Sequence, residues 1–321
     1  MTRLLIVAPN WLGDAVMALP AVADVRRAWP DAAIAVSARR SIAPLFSMVD
    51  GVELAGASRP DVALLLPNSF RSALTAALAR IPERWGYRAD WRGLLLTRAI
   101  DRPARVHQVE YYQHLVRALD VPTGDSTPRL AVAPAACEAA ARLLAVAGRE
   151  AGRPLVGLAP GAAYGPAKRW PPAYFAEVAR SLAADGVQPV VVGSAADAAA
   201  AGEVLSALGT AARPIDLVGR TDLPTLAGVL AQCRVVVSND SGAMHLAAAV
   251  GAPVVAIFGP TDERMTAPGS PSALGRRPSA ILQHPVWCRP CLLRECPLDH
   301  ECMRGVAPSL VLSTVREVAC L

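Results

Sequence analysis

The sequence predicts an α/β protein with parallel sheets, and three observations support this fold class. Residues 234–261 read as an apolar strand, a polar turn, a helix and a second buried strand, which is the repeating unit of a parallel sheet. The same order of elements recurs in both halves of the chain. At 321 residues, 53% of them hydrophobic, the chain is long enough for two cores of about 150 residues each.

The domain boundary is predicted at residue 150. The surrounding loop, residues 148–153, mixes glycines with charged residues and lies between a predicted helix at 135–147 and a predicted strand at 155–158. The first domain is therefore expected to span residues 1–150 and the second to span residues 151–321.

Composition argues against several classes of protein. No apolar run reaches the roughly 18 residues of a membrane span. Asn10 and Asp14 interrupt the apolar start of the chain, so we expect a first strand there rather than a signal peptide, and a cytoplasmic protein. Gly13 is the single glycine of the first strand-to-helix turn, so the dinucleotide-binding fingerprint is absent and a nicotinamide enzyme is disfavoured.

The net charge of +5 is distributed unevenly. Residues 71–117 carry nine arginines against four acids, an excess that equals that of the whole chain. A solvated face explains such a segment. A surface for an acidic partner, either anionic lipid or a phosphorylated glycan, explains it equally well. We expect no binding of nucleic acid, because no recognition motif accompanies the arginines.

Polar turns in the first half supply candidate residues. Asp14 lies in the turn after the first strand, near the start of a helix, where a carboxylate is either a cap or a general base facing a cleft. Asn68, Ser69 and Arg71 lie in a similar turn after the strand at 62–66. Arg88 ends an aromatic and basic segment that suits either stacking on a sugar ring or covering a core edge.

The second half begins with a loop suited to phosphate. Lys168 is the only lysine beside 31 arginines, and it lies in a glycine-containing loop between a strand and a helix. Such a loop brings backbone amides and a compact ammonium to phosphate groups, although the ending of a P-loop is missing. Asp197 follows the next strand, where an acid either binds ribose hydroxyls or caps a helix.

The turn within residues 234–261 is the strongest candidate. Asp240 and Ser241 are good helix caps, and the amides that follow them can face an anion. The simpler interpretation is that Asp240 only caps the helix. His245, one turn further along, favours a binding site instead.

Cys288, Cys291, Cys296 and Cys302 crowd into one short segment, together with His300. Disulfides are improbable in a reducing cytoplasm. The spacing leaves three interpretations open: a structural zinc site, reduced thiols in a packed loop, or a redox role.

Four ordered motifs resemble those of the ADP-heptose:lipopolysaccharide heptosyltransferases, and they lie at residues 9–14, 66–70, 160–171 and 239–245. The resemblance covers nearly the whole chain. It implies a GT-B fold, in which two Rossmann-like domains face each other across a cleft. The first domain would bind the acceptor and the second the nucleotide sugar. The last helix, at about residues 309–320, would cross back to the first domain.

The family moves L-glycero-D-manno-heptose from ADP-heptose onto the inner core of lipopolysaccharide, with inversion at the anomeric carbon. For this chain the expected acceptor is the heptosyl-Kdo2-lipid A inner core. The resemblance makes Asp14 the catalytic base and Lys168 the residue that steadies the leaving diphosphate. The expected donor contacts are Asp197 for ribose, Asp240 for heptose hydroxyls, and Ser241, Gly242 and His245 for the diphosphate. The expected acceptor contacts are Asn68, Ser69, Arg71 and Arg88.

No cofactor is expected for catalysis. Many glycosyltransferases hold a divalent ion on an Asp-x-Asp pair, and this sequence contains none. Lys168 and the amides of residues 241–243 would replace the ion. The lipid acceptor implies peripheral contact with the cytoplasmic face of the inner membrane, and a monomer is expected.

Two kinds of alternative stay open. The first is another enzyme of the same fold, either a sister heptosyltransferase with a different acceptor or a nucleotide-sugar epimerase. The second is a non-catalytic subunit that only binds a sugar nucleotide, and the presence of both Asp14 and Lys168 argues against it.

Overall fold

The computed structural model describes residues 2–56, 59–210, 212–268 and 279–320. The chain forms two compact units, residues 1–131 and 132–321. Within these described ranges, each unit contains a six-stranded sheet, and the pairings in both sheets are parallel. The predicted α/β class with two parallel sheets is confirmed.

The first unit has a sheet with the strand order β3-β2-β1-β4-β5-β6. Its strands are β1 (Arg3–Val7), β2 (Ala33–Ser37), β3 (Glu53–Leu54), β4 (Val62–Leu65), β5 (Glu83–Tyr87) and β6 (Arg98–Ile100). Its helices are α1 (Leu12–Met17), α2 (Leu19–Ala28), α3 (Ala43–Phe46), α4 (Phe70–Leu78) and α5 (Gln108–Arg117), with a 3-10 turn at Arg92–Leu95. Strand β4 is buried along its whole length, as expected for a strand covered on both faces.

The second unit repeats this order as β12-β11-β10-β7-β8-β9. Its strands are β7 (Leu155–Ala159), β8 (Gln188–Val191), β9 (Ile215–Asp216), β10 (Cys233–Asn239), β11 (Val254–Phe258) and β12 (Ala280–Gln283). Its helices are α6 (Pro134–Val146), α7 (Pro172–Ala184), α8 (Ala198–Leu208), α9 (Leu223–Ala231), α10 (Gly242–Ala249), α11 (Glu263–Thr266), α12 (Glu301–Arg304) and α13 (Pro308–Ala319). Read in chain order, both sheets follow the 3-2-1-4-5-6 pattern of nucleotide-binding folds.

Pro20 divides the first predicted helix. The sequence predicts helix at residues 15–29 that Pro20 kinks or divides, and the structure has α1 ending at Met17 and α2 beginning at Leu19. Pro20 is the second residue of α2, a position where its missing N–H leaves no helical hydrogen bond unmade.

The division between the units lies at residue 131, earlier than the predicted boundary at residue 150. Helix α6 packs against α9 and therefore belongs to the second unit. Gly228 of α9 allows the close approach, because a Cβ at this position would lie 2.7 Å from the carbonyl oxygen of Ala136. The glycine-rich loop at 148–153 thus connects α6 to β7 within one unit and is not a linker between domains.

Helix α13 also belongs to the second unit, whereas it was expected to return to the first domain. Val311, Val315 and Ala319 are buried in the core that the second sheet shares with α7. Arg316 forms an ion pair with Asp185 at the end of α7, with 2.7 Å between nitrogen and oxygen. This packing corrects the assignment of the last helix.

Within the described parts of the chain, every helix is too short or too polar to cross a lipid bilayer.

Two glycines inside helices should respond oppositely to alanine. Gly228→Ala should lower the free energy of unfolding by about 1–3 kcal/mol, because the new methyl group meets the α6 backbone. Gly202→Ala in α8 should raise it by about 0.5–1 kcal/mol, because a Cβ there has no atom within 4 Å and alanine favours the helix. Urea denaturation measures both. Equal effects of the two changes would contradict the close packing of α6 on α9.

Candidate active site

An ion pair lies at the carboxyl edge of the second sheet. Lys168 ends a 3-10 turn that follows β7, and Asp240 directly follows β10, the strand paired with β7. Lys168 Nζ is 2.5 Å from Asp240 Oδ2, and the two side chains are only 12% and 5% exposed. Thr261, after the next strand β11, donates its hydroxyl to the same carboxylate oxygen at 2.7 Å. Three adjacent strands therefore bring these groups together.

Asp240 is not the cap of helix α10. Ser241 occupies the capping position with extended backbone angles, and the Asp240 carboxylate goes to Lys168 and Thr261. The interpretation of Asp240 as only a helix cap is therefore wrong. A buried carboxylate needs such partners, because removal from water is costly for an unpaired charge.

Asn239 fixes the loop that carries Lys168. Its side chain is fully buried and donates to the carbonyl of Pro160 at 2.7 Å, while its oxygen accepts from the backbone N–H of Trp170 at 3.0 Å. One amide thus holds the beginning and the end of this loop. Asn239 belongs to the motif at residues 239–245. The motif alone did not indicate that Asn239 holds the Lys168 loop, whereas its neighbours were expected to bind the donor.

The expected diphosphate contacts lie at the start of α10. Gly242 is the first residue of this helix, and Ser241 precedes it with its hydroxyl 3.2 Å from that of Ser238. His245 lies one turn further along and is buried. The first amides of a helix attract anions through their unpaired N–H groups and the helix dipole.

Asp197 acts as a local cap and also lies against the loop before Lys168. Its Oδ2 accepts hydrogen bonds from the backbone N–H of Ser194 at 2.9 Å and from its hydroxyl at 2.7 Å. Its Oδ1 lies close to Gly161, where a Cβ would be only 2.2 Å away. Asp197 thus completes a capping box at the 3-10 turn Ala195–Asp197, whose N-cap is Ser194, whereas its side chain makes no capping hydrogen bond to α8. The ribose contact stays a prediction.

The cysteine-rich segment packs against the Lys168 loop. The carbonyl oxygen of Arg294 accepts from the N–H of Ala167 at 3.1 Å, and that of Leu292 accepts from the Tyr164 hydroxyl at 2.6 Å. The Tyr164 ring lies 4.8 Å from Lys168 Nζ and 5.3 Å from the Arg294 guanidinium. These contacts hold the loop that carries Lys168 in place beside Asp240.

Arg289 joins the same segment to the loop after β11. Its guanidinium donates to the carbonyl oxygens of Gly259 at 2.6 Å and Thr261 at 3.0 Å, and it pairs with Glu263 at 2.8 Å. Sequence reasoning concentrated on the cysteines and missed Arg289. Every residue has a backbone carbonyl oxygen, so the sequence cannot indicate which carbonyl oxygens an arginine will bind. The contacts of Arg289 could therefore not be predicted from the sequence.

The four clustered cysteines are free thiols. Burial, together with nearby Cys288, Cys296 and Cys291, raises the pKa of Cys302. Across the described ranges, however, no three His, Cys, Asp or Glu side chains are arranged to hold a metal ion. The thiols as placed do not form the zinc site, which stays a prediction from spacing alone, and no chemical step is assigned to a metal.

In the first unit, Asp14 lies in the first turn of α1, at the carboxyl edge of the first sheet. Its neighbour is Tyr112 on α5. Burial and the negative charge of Asp14 raise the pKa of the Tyr112 phenol well above its usual value, so this phenol stays neutral. A carboxylate beside a neutral hydroxyl in the first turn of a helix is an arrangement compatible with a general base.

The four expected acceptor residues do not behave alike. Ser69 caps α4, because its hydroxyl accepts from the N–H of Ser72 at 3.3 Å. Asn68 donates to the Tyr111 hydroxyl at 2.8 Å, and its buried side-chain oxygen has no hydrogen-bond partner among the residues that the structure describes. Arg71 and Arg88 are exposed. The contact of each with an acceptor stays a prediction.

Arg92 is buried, although it belongs to the arginine-rich segment 71–117 that was expected to form a solvated face or a binding surface. Its side chain is fully buried and donates to the carbonyl oxygen of Tyr87 at 2.8 Å, to the carbonyl oxygen of Pro67 and to the hydroxyl of Ser72 at 3.2 Å. Burial lowers the pKa of Arg92 to about 10. A solvated face therefore does not describe this arginine, which ties the end of β5 to the turn before α4.

The Lys168–Asp240 pair should stabilise the second unit. Lys168→Met should lower the free energy of unfolding by about 3 kcal/mol, because Asp240 is left buried without its cation. Adding Asp240→Asn should recover most of this loss. Arg142→Met, which removes an exposed pair with Glu138, is the control and should leave stability near that of the parent. A double variant as unstable as Lys168→Met would contradict the coupling.

Comparison with known proteins identifies the family of this chain. Residues 55–301 match the model of glycosyltransferase family 9 (heptosyltransferase). The lipopolysaccharide heptosyltransferase 2 of Escherichia coli K12 is 35% identical over 304 residues, which cover 84% of this chain and 86% of the relative. The lipooligosaccharide heptosyltransferase 2 of Haemophilus influenzae is 33% identical over 84% of this chain and 87% of its own.

The fold comparison gives the same family. The solved structure of E. coli ADP-heptose lps heptosyltransferase II superposes with a TM-score of 0.85 at 31% identity and covers 99% of each chain. The resemblance seen in the four motifs is thereby confirmed, and with it the GT-B fold class. The chain belongs to glycosyltransferase family 9, the heptosyltransferases.

Proposed function

We propose that this chain transfers L-glycero-D-manno-heptose from ADP-heptose to the heptosyl-Kdo2-lipid A inner core, with inversion at the anomeric carbon. The single observation that carries the proposal is the Lys168–Asp240 pair beside the start of α10. Relatives named lipopolysaccharide heptosyltransferase 2 support heptose transfer to lipopolysaccharide, and the similar solved structure named ADP-heptose lps heptosyltransferase II supports the donor.

The reaction is a single displacement. The acceptor hydroxyl oxygen forms a bond to the anomeric carbon while the bond from that carbon to the β-phosphate oxygen of ADP breaks. The bonding electrons leave with ADP, and the hydroxyl proton passes to the carboxylate of Asp14. One base on the face opposite the leaving group is sufficient for inversion.

The departing ADP gains negative charge, and Lys168 is the group assigned to it. An ammonium has three N–H donors, of which one goes to Asp240 Oδ2. The other two are assigned to diphosphate oxygens, joined by the first amides of α10. Asp240 thereby gains a positioning role in addition to the expected contact with heptose hydroxyls.

We assign the remaining contacts as the sequence predicts them. Asp197 binds the ribose hydroxyls, and Ser241, Gly242 and His245 surround the diphosphate. Lys168 and helix amides supply the positive charge that other glycosyltransferases take from a divalent ion, so the reaction should continue in EDTA. The enzyme would act as a cytoplasmic monomer in peripheral contact with the inner membrane, where its lipid acceptor lies.

The direct test is ADP release from ADP-heptose, measured with and without a mono-heptosylated core acceptor in the presence of EDTA. We expect release only when acceptor is present. Conversion of the sugar nucleotide without acceptor would indicate an epimerase. Binding of ADP-heptose with no release in either case would indicate a non-catalytic subunit.

Asp14→Asn should lower kcat by about 10²–10³, because the amide cannot take the acceptor proton. The affinity for ADP and the melting temperature should stay near those of the parent protein. Asp31→Asn, which alters an exposed carboxylate of the same unit, is the control and should keep full activity. Near-normal turnover by Asp14→Asn would remove Asp14 from the role of base.

A further inference from the structure

Helix α4 presents an apolar stripe to solvent. Phe70, Leu74 and Leu78 recur at every fourth residue and are 44%, 37% and 74% exposed. The opposite face packs the small side chains of Ala73 and Ala76 into the core. A surface helix normally buries its large apolar residues, so this stripe is the reverse of the usual pattern.

The 3-10 turn beside α4 exposes two more large apolar side chains. Trp91 is 92% exposed and Leu94 is 95% exposed. Arg92 between them is buried and donates to Pro67 and Ser72, so the turn is fixed against the start of α4. We call the five side chains together the Trp91 surface: Phe70, Leu74, Leu78, Trp91 and Leu94.

The backbone holds Trp91 in this exposed position. Asp90 and Trp91 have φ angles of 45° and 61°, in the left-handed region that residues with side chains seldom adopt. Glycine or asparagine would occupy such a turn more readily. Because unfavourable backbone conformations cluster at functional sites, the exposed Trp91 ring on this turn is a candidate binding feature.

Two arginines, Arg71 and Arg88, lie beside the Trp91 surface. Arg71 lies on α4 one residue after Phe70, and the Arg88 side chain lies along the turn, where a Cβ on Gly93 would be 3.2 Å from its Cγ. Residues 70–105 contain eight arginines and three acids. The acids include Asp90 on the turn itself and Asp101, which pairs with Arg88 at 3.6 Å. The segment remains net positive.

We propose that the first unit docks on an anionic lipid bilayer through the Trp91 surface. Tryptophan rings favour the level of the lipid headgroups, leucine and phenylalanine favour the acyl boundary, and arginines are attracted to anionic lipid phosphates. A second copy of the chain fits less well, because a two-fold dimer would place two positive surfaces face to face.

The position of the Trp91 surface agrees with the proposed function, and this part of the argument rests on that function. Helix α4 begins directly after Asn68 and Ser69, at the carboxyl end of β4, where the acceptor is expected. Docking there would bring these residues to the sugar of a lipid-anchored acceptor in the same bilayer.

The test compares binding to phosphatidylcholine vesicles with and without phosphatidylglycerol. The double variant Trp91→Gly, Leu94→Ser should lower the partition coefficient on the anionic vesicles about ten-fold or more. Glycine suits the left-handed backbone at residue 91, so the variant should keep the melting temperature of the parent. Trp287→Gly, which removes a tryptophan that is 84% exposed in the second unit, is the matched control and should bind like the parent.

Binding should also weaken with added salt, because exposed charges are screened. Unchanged binding by the double variant, or an equal loss in Trp287→Gly, would overturn the proposal. Binding that appears only when acceptor glycolipid is added, or a dimer that the double variant abolishes without vesicle binding, would also overturn it. These vesicles contain neither donor nor acceptor, so ADP release with an acceptor lacking acyl chains reports on the proposed function separately.

Discussion

The pairing of one ammonium with one carboxylate is the constraint on which the carboxyl edge of the second sheet depends. Lys168 and Asp240 are 72 residues apart in sequence and meet because β7 and β10 are neighbours. Charges with so little exposure need partners at close range. Asn239 anchors the lysine loop, and Arg289 and the carbonyl of Arg294 anchor the segment that covers it. The Lys168–Asp240 pair therefore connects the expected phosphate-binding group, Lys168, with the stability of the carboxyl edge of the second sheet.

The same pair would let the proposed site accept a charged ligand without rearrangement. Without ligand, Lys168 and Asp240 neutralise each other. A diphosphate would add charge, and the ammonium can meet it through its remaining donors without leaving Asp240. Such preorganised donors need no rearrangement when negative charge develops, which is why they are effective in catalysis.

Local patterns in the sequence predicted most of the fold. Short apolar runs, polar turns and helical stretches indicated both sheets, because strands covered on both faces are apolar throughout. The boundary at residue 150 was misplaced because the packing of α6 depends on Gly228, far away in the sequence. The return of α13 to the first domain came from family resemblance, and its buried valines pack on the second sheet instead.

The positions of Asp14, Lys168 and Asp240 in turns that follow strands were predictable from the sequence, and their roles in the site stay predictions. Tertiary packing that no sequence spacing encodes determines the rest: the Lys168–Asp240 ion pair, the burial of Arg92 and the carbonyl contacts of the cysteine-rich segment.

The central claim is that Lys168 binds the diphosphate. Calorimetric titration of ADP and of adenosine into the variant Lys168→Met, Asp240→Asn tests it most directly. We predict that affinity for ADP falls about ten- to a hundred-fold while affinity for adenosine is unchanged; an unchanged affinity for ADP would contradict the account.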